Sequence, residues 1–469
     1  MADRLTLGDV IGILHPLGGG VRISPQEPIG AVTTDSREIA PGGLFVALAG
    51  ERVDGADFAE DAIRRGAQAV IVSEEGVWKI PPALLAAHPV FVVRNPVEAL
   101  GDLARAHRER LRHIPLVGIT GSSGKTSTKE MLAALLSRSR HVLGNPGNRN
   151  NLIGMPLALL GLSAAHDVAV LEMGTNQPGE IARLSAIAAP DVGVVTNITP
   201  AHLEGLKSLE GVAREKGDLY RSLPESGTAV VNATDLRVMR EASRCKAAKI
   251  HYGVGLNEIS GRVLSMDDGG MRIAVRTPSG EFASSLPLTG EHNLLNALAA
   301  VAAAYALGLR PGDMEEGFRS LPPLRGRFRP VPLRGGGLLL DDSYNANPAS
   351  VEAALRNLAA LRRGRRCVVV LADMLELGEA SGTAHFRIGH LVAGMEPDLL
   401  FTCGSEAESI ARGAGAGGMD PGRIVHAGDR DALRLAVAGA LREGDVILVK
   451  GSRGMRLEEI AEAVEKEWA

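Results

Sequence analysis

Nine consecutive residues, Gly118-Ile-Thr-Gly-Ser-Ser-Gly-Lys-Thr126, have the types needed to hold a chain of phosphates. An apolar strand run at 116–120 feeds a turn of small residues, and a helix opens near Lys125. Backbone N–H groups of such a turn converge on phosphate oxygens, and the helix N-terminus adds its positive dipole end. Gly121, Ser122, Ser123 and Gly124 form the turn, Lys125 is placed to reach the β- and γ-phosphates, and the Thr126 hydroxyl to bind Mg²⁺. The strict spacing G-x-x-x-x-G-K-[ST] requires Gly at 119, where Ile stands, so this is a variant loop.

Two further residues could act on the same phosphates. Glu172 closes the apolar run 168–171, and His202 follows the run 192–197 across a short loop. Ligands of parallel α/β sheets gather at the carboxyl ends of strands, which would bring Glu172 and His202 beside the metal and the γ-phosphate. The sequence carries no Ser/His/Asp or Cys/His signature of a protein nucleophile.

These residues need a parallel sheet to position them, and the chain is patterned for three α/β domains. Residues 1–113 hold short strand runs at 43–48, 69–72 and 90–93, with helices expected at 58–65 and 96–110. Residues 114–328 carry the phosphate loop and strands at 116–120, 168–171, 192–196 and 228–232, as a central parallel-sheet ATPase domain would. Gly-punctuated strands over 249–287 predict a small antiparallel insert, and the Ala-rich run 292–307 a buried helix. The stretch 321–330, rich in Pro, Arg and Gly, reads as a linker. Residues 329–469 repeat strands at 338–340, 367–371, 399–403 and 446–449, a Rossmann-like pattern. A length of 469 residues suits two to four domains at roughly 100–200 residues each. The net charge of −4 argues against a nucleic-acid binder. Cys245, Cys367 and Cys403 are far apart and odd in number, which points to a reducing compartment. The N-terminus does not read as a signal peptide, and no run reaches the ~20 apolar residues of a membrane span, so a cytoplasmic location is expected.

With these segments in view, the sequence resembles the Mur ligase family of peptidoglycan precursor synthesis along essentially its whole length. The resemblance rests on Thr120-Gly-Ser-Ser-Gly-Lys-Thr126, Asp35-Ser-Arg37 with Pro41-Gly-Gly-Leu-Phe45, Gly147-Asn-Arg-Asn-Asn-Leu-Ile-Gly-Met-Pro156 and Glu172-Met-Gly-Thr-Asn176. Asp341-Asp-Ser-Tyr-Asn-Ala-Asn-Pro348, Asp373-Met-Leu-Glu-Leu-Gly378 and Lys450-Gly-Ser-Arg453 complete it. It is similar to the family member whose substrates are ATP, UDP-MurNAc-tripeptide and D-Ala-D-Ala. It implies an acyl-phosphate mechanism, two Mg²⁺ ions and a monomer. It further implies that Ser36 and Arg37 contact the UDP-sugar end, and that Asn148, Asn150 and Asn151 line a substrate channel. Thr175 and Asn176 would face peptide or phosphate, Asn293 and Asn296 the adenine, and Asp342 the ribose. Arg327 would contact the γ-phosphate, and Ser452 and Arg453 the dipeptide carboxylate. Lys216, 14 residues after His202, would be carbamylated and join Thr126, Glu172 and His202 as a metal ligand. Gly454 and Ala372 stand where the family more often has Ser and Gly; both keep the position small.

Three other readings fit the same residues less well. A ligase adding diaminopimelate would show Asp-Asn-Pro-Arg in its third domain, which is not found here. A folylpolyglutamate synthase would leave Ser36 and Arg37 unexplained, and a non-catalytic nucleotide-binding protein would not need Lys125, Thr126, Glu172 and His202 together. The third residue of the tripeptide, diaminopimelate or lysine, stays open.

Overall fold

The computed structural model describes residues 4–17, 24–50, 53–255 and 257–469. Three sheets lie along the chain in sequence order. The first has four parallel strands, Val32–Thr33, Leu44–Val46, Ala69–Ser73 and Val90–Val93, neighbours in that order. The helix Pro96–Arg110 follows, with Asn95 accepting the N–H groups of Val97 and Glu98 and Pro at its start. That combination of amide cap and pre-set proline fixes where the helix begins. A helix at Leu7–Leu14, closed by a Thr6–Asp9 capping box, precedes them.

The second sheet has nine strands. Leu116–Thr120 lies between Val168–Glu172 and Val192–Val195, parallel to both, and every residue of the three is buried. The chain runs from Leu116–Thr120 to the edge strand Val142–Gly144, returns through Val168–Glu172, and crosses to Val192–Val195 on the other side. Strand order therefore reverses at Leu116–Thr120, which is where a ligand crevice opens in this architecture. One face of the sheet is covered by the helices Lys125–Leu136 and Glu291–Ala306, whose leucines and alanines pack with Val117, Ile119 and Val194. The other face packs Leu116, Leu171 and Val195 against Ile181, Leu184 and Leu219.

One expectation needs correction here. The 249–287 segment is not a separate antiparallel insert. Ala248–Gly253 pairs parallel with Thr228–Asn232 and with Ile259–Asp267, so it extends the main sheet. Only Ile259–Asp267, Gly270–Thr277 and Gly280–Leu286 pair antiparallel. Residues 321–328 carry no helix or strand and lead into strand Arg329–Leu333, with Leu321, Leu324 and Phe328 buried. Arg329, paired with Asp341 and Glu465, anchors that strand to the third sheet.

The third sheet runs Arg329–Leu333, Gly337–Asp342, Val446–Lys450, Cys367–Ala372, Leu399–Cys403, Ile424–Ala427. The first pair is antiparallel and the others are parallel. Asp342, Lys450 and Asp373 thus emerge together at one carboxyl edge. Among the described residues no helix is long and apolar enough to cross a membrane.

Candidate active site

The phosphate-loop residues are held by the segment that follows Val192–Val195. Ser122 N–H donates to Asn197 O at 3.0 Å, and its hydroxyl donates to Thr199 O at 2.8 Å. Asn197 accepts the Ser123 N–H through Oδ1 and donates from Nδ2 to Ser123 O, while Thr196 Oγ1 donates to the same carbonyl at 2.6 Å. Gly124 takes φ 80° and starts helix Lys125–Leu136 with no side-chain cap. Its first N–H groups therefore need a partner other than a capping side chain, the condition for anion binding at a helix start.

Gly124 also sits against the Ala-rich helix. A Cβ there would lie 2.1 Å from Asn296 Oδ1. Asn296 in turn donates to Asn293 Oδ1 at 3.1 Å, and Asn293 to Thr289 O at 3.0 Å, both residues being buried. A left-handed conformation costs a non-glycine residue about 1–2 kcal/mol. Gly124→Ala is accordingly expected to push the loop off Asn296 and weaken ADP binding about tenfold or more, with unchanged circular dichroism. Isothermal titration with ADP checks it, and wild-type affinity would count against a phosphate role for the loop.

At the mouth of this loop four side chains form a continuous chain. Arg327 Nη2 donates to Thr126 Oγ1 at 2.8 Å, Thr126 donates to Glu172 Oε2 at 2.7 Å, and Asn150 Nδ2 donates to Glu172 Oε1 at 2.6 Å. Glu172 is buried, and Asn145, at the end of the neighbouring strand Val142–Gly144, holds its backbone N–H and C=O. Lys129 reaches under the same loop, donating to Asn145 O at 2.6 Å. Lys125 Nζ donates to Gly121 O at 3.0 Å; burial pushes its ammonium down from the usual range, with the Glu172 carboxylate opposing.

A cavity of about 920 Å³ lies between the second and third sheets. From the second it is lined by Ser122, Ser123, Gly124, Lys125, Thr126, Asn148, Asn150, Asn151, Glu172, Thr175, Asn176, His202, Asn293 and Asn296. From the third come Arg327, Asp342, Tyr344, Glu376, Lys450, Ser452 and Arg453. Several of these groups are already engaged. Asp342 accepts from Phe328 N–H and from Lys450 Nζ at 2.6 Å, and burial raises its pKa against the pull of Lys450. Ser452 is buried, accepting Leu375 N–H at 2.9 Å. The Thr175 hydroxyl contacts Gln177 O and Glu215 Oε1, and Asn151 Oδ1 accepts the N–H of Ile153 and Gly154. Arg453, whose side chain is more than half exposed, donates to Glu458 Oε1 at 3.4 Å and lies over the Tyr344 ring, with Arg327 3.8 Å from the centroid of the same ring.

Ser36 and Arg37 do not line this cavity. Ser36 donates to Asp61 Oδ2 at 2.9 Å, and the exposed Arg37 pairs with Asp35, lowering that carboxyl to about 2. Gly121 and Lys216 are not among the cavity's lining residues either. Lys216 is buried on helix Leu209–Arg221, and its amine makes no hydrogen bond or ion pair among the described residues. Burial holds its pKa well below the usual range; Lys125 adds to this and Glu215 opposes it.

Sequence reasoning did not assign roles to Tyr344, Glu376, Asn145 or Lys129. Tyr344 and Glu376 sit inside motifs already singled out, Asp341–Pro348 and Asp373–Gly378, but only folding brings them to the cavity.

Comparison with known proteins agrees with this geometry domain by domain. The Mur ligase middle domain model matches residues 119–304, the Mur ligase glutamate ligase domain model residues 326–453, and the Mur ligase family catalytic domain model residues 28–108.

The chain belongs to the Mur ligase family.

It is therefore an ATP-dependent, ADP-forming ligase that makes a C–N bond. This Mur ligase is 37% identical to the UDP-N-acetylmuramoyl-tripeptide–D-alanyl-D-alanine ligase of Escherichia coli (strain K12), with 98% of each chain covered. Among solved structures it is similar to MurF from Acinetobacter baumannii, at TM-score 0.87 and 30% identity, covering 99% of each chain. It is also similar to MurF ligase from Thermotoga maritima in complex with ADP, at TM-score 0.79 and 31% identity, covering 93% of this chain and 97% of that one.

Proposed function

We infer that this Mur ligase joins D-alanyl-D-alanine to UDP-N-acetylmuramoyl-tripeptide, forming the UDP-MurNAc-pentapeptide precursor of peptidoglycan. The observation that carries the reading is 37% identity to the E. coli ligase of that name across 98% of both chains. A carboxylate resists amine attack because oxide would have to leave. Transfer of the ATP γ-phosphoryl group to the terminal tripeptide carboxylate releases ADP and gives an acyl phosphate. The dipeptide amine then adds to the carbonyl, a proton is lost, and the tetrahedral oxyanion collapses with loss of phosphate. Lys125 and Arg327 provide fixed positive charge where the transferring phosphoryl oxygens are most negative. Arg453 is suited to the dipeptide carboxylate because its planar fork pairs with two oxygens at once.

The donors at the loop mouth fit Mg²⁺. Thr126 Oγ1 and the Glu172 carboxylate are oxygen ligands in mutual contact. No cage of three or more His, Cys, Asp or Glu side chains exists among the described residues. A hard ion held by one carboxylate, a hydroxyl and substrate phosphates needs none. Thr126 and Glu172 would hold one ion, His202 and a carbamylated Lys216 a second, and the ions would neutralise phosphate charge. Ser36 and Arg37, set apart from the cavity, suit a first domain that grips the far, nucleotide end of a long substrate. Asn148, Asn150, Asn151 and Asn176 would border the peptide, Asn293 and Asn296 the adenine. We take the enzyme to act as a monomer in the cytoplasm, where its three buried free cysteines would stay reduced.

The test is an amine panel. Phosphate release from ATP with UDP-MurNAc-tripeptide is expected to require D-Ala-D-Ala and to be weak with free diaminopimelate, lysine or glutamate. Faster turnover with a single amino acid would move the enzyme to another step of the same pathway.

A further inference from the structure

His202 has a partner from the other side of the cavity. Its Nδ1 makes a short hydrogen bond to a Glu376 carboxylate oxygen, 174 residues away in the sequence. Glu376 belongs to the loop that leaves strand Cys367–Ala372 of the third sheet, whereas His202 leaves strand Val192–Val195 of the second. The two loops meet again where Glu204 N–H approaches Glu376 O at 3.4 Å.

Both residues adopt left-handed backbone conformations, His202 at φ 53° and Glu376 at φ 65°. Histidine is several-fold enriched there, but glutamate is not, and such strain persists only where the surroundings enforce it. The Glu376 loop is enforced from several sides. Met374 N–H donates to the buried His385 Nε2 at 2.8 Å, Leu375 N–H to Ser452 Oγ at 2.9 Å, and Ser452 N–H to Asp373 O at 3.0 Å. The Asp373 carboxylate accepts the N–H groups of Glu406 and Ala407. Five fixed contacts thus aim one carboxylate at one imidazole nitrogen.

We propose that Glu376 is a positioning residue for His202, supplied by the third domain to the central one. A carboxylate only accepts, so the contact requires hydrogen on Nδ1. The neutral ring then keeps its lone pair on Nε2, which has no hydrogen-bond partner among the described residues. Carboxylate–histidine pairs fix tautomer and ring orientation in this way around metal sites. Because the carboxylate comes from the third sheet, His202 is oriented only while the third domain rests on the second. The proposal rests on reading His202 as a residue that faces the metal and the phosphates.

The test pairs an optical-quiet readout with kinetics. ¹⁵N-histidine spectra of the metal-free and nucleotide-free protein at pH 8 report the His202 tautomer, assigned with His202→Gln. The wild type is expected to show Nδ1–H, and Glu376→Ala a shift towards Nε2–H. Glu376→Gln, whose amide oxygen still accepts, restores Nδ1–H. In phosphate release, Glu376→Ala is expected to lower kcat about 10–100-fold with the KM for ATP unchanged. Glu376→Asp tolerates positive φ and withdraws the carboxylate by one methylene, so it gives the same result should the alanine variant fail to fold. An unchanged tautomer, or a shifted tautomer with wild-type kcat, overturns the proposal. If the wild type does not ligate D-Ala-D-Ala, the functional reading fails, and the spectra still decide the Glu376–His202 coupling.

Discussion

Lys125→Ala is expected to reduce ATP-dependent phosphate release by about 10²–10³-fold or more, with the fold intact. Removal of one preorganised group that stabilises developing transition-state charge costs on that order. The Lys125 ammonium reaches over the loop to Gly121 O, beside the Thr126–Glu172 contact. Nothing else in the loop carries positive charge, since its other residues are Gly, Ser, Thr and Ile. Arg327 cannot substitute for it, because its guanidinium is already hydrogen-bonded to Thr126 and stacked on Tyr344. Stability should not fall with activity. Burial lowers the Lys125 pKa in the folded state, so the ammonium is less favourable there than in the unfolded chain. The folded state then binds fewer protons than the unfolded one between the two pKa values, and the charge opposes folding below that window. A melting temperature equal to or above the wild type, with turnover lost, is the expected pair of results. Near-normal turnover in the folded variant would remove the phosphate-loop reading.

The sequence made legible what is local and periodic. Cys367–Ala372 and residues 168–171 are continuous apolar runs, and Pro96–Arg110 has both an amide cap and an N-terminal proline. The edge strand Val142–Gly144 is three residues long and only partly buried, so it has no apolar run to show. Parallel pairing of Ala248–Gly253 was hidden because its exposed and half-buried residues resemble those of the antiparallel strands that follow. The site divides along the same line. Gly124, Lys125 and Thr126 are adjacent and announce a phosphate loop. Arg327 reaches Thr126 from 201 residues away, and Glu376 reaches His202 from 174, distances over which no spacing rule applies. Residue type alone also overstated some roles. Ser452 and Asp342 line the cavity, yet their polar atoms are bound to Leu375 N–H and Lys450, so part of their work is to hold the loops at the third sheet's edge.

Lys216→Ala is expected to lose most activity and to regain part of it with added short carboxylates such as acetate. An unperturbed lysine, with a pKa of about 10.4, is a cation at neutral pH, and a cation beside Mg²⁺ would be repelled. Lys216 is not in that ordinary state. Its side chain is buried, its amine has no carboxylate or carbonyl partner among the described residues, and burial with the nearby Lys125 charge drives its pKa well down. The neighbouring Glu215 does not neutralise it, because that carboxylate accepts the N–H groups of Gly179 and Ile181 and the Thr175 hydroxyl. Taking an ammonium out of water is costly, which favours the neutral amine. The neutral amine can add to CO₂, forming a carbamate and releasing a proton. The product is an anion with two oxygens, the ligand type a hard divalent ion prefers. Alanine leaves the volume of the side chain and its carbamate open, which is why a small free carboxylate can partly replace them. Intact-protein mass spectrometry under CO₂-enriched, non-acidic conditions should show the added mass on the wild type and not on Lys216→Ala. Full activity of Lys216→Ala in CO₂-depleted buffer would make Lys216 a structural residue and remove the second metal from the proposed site.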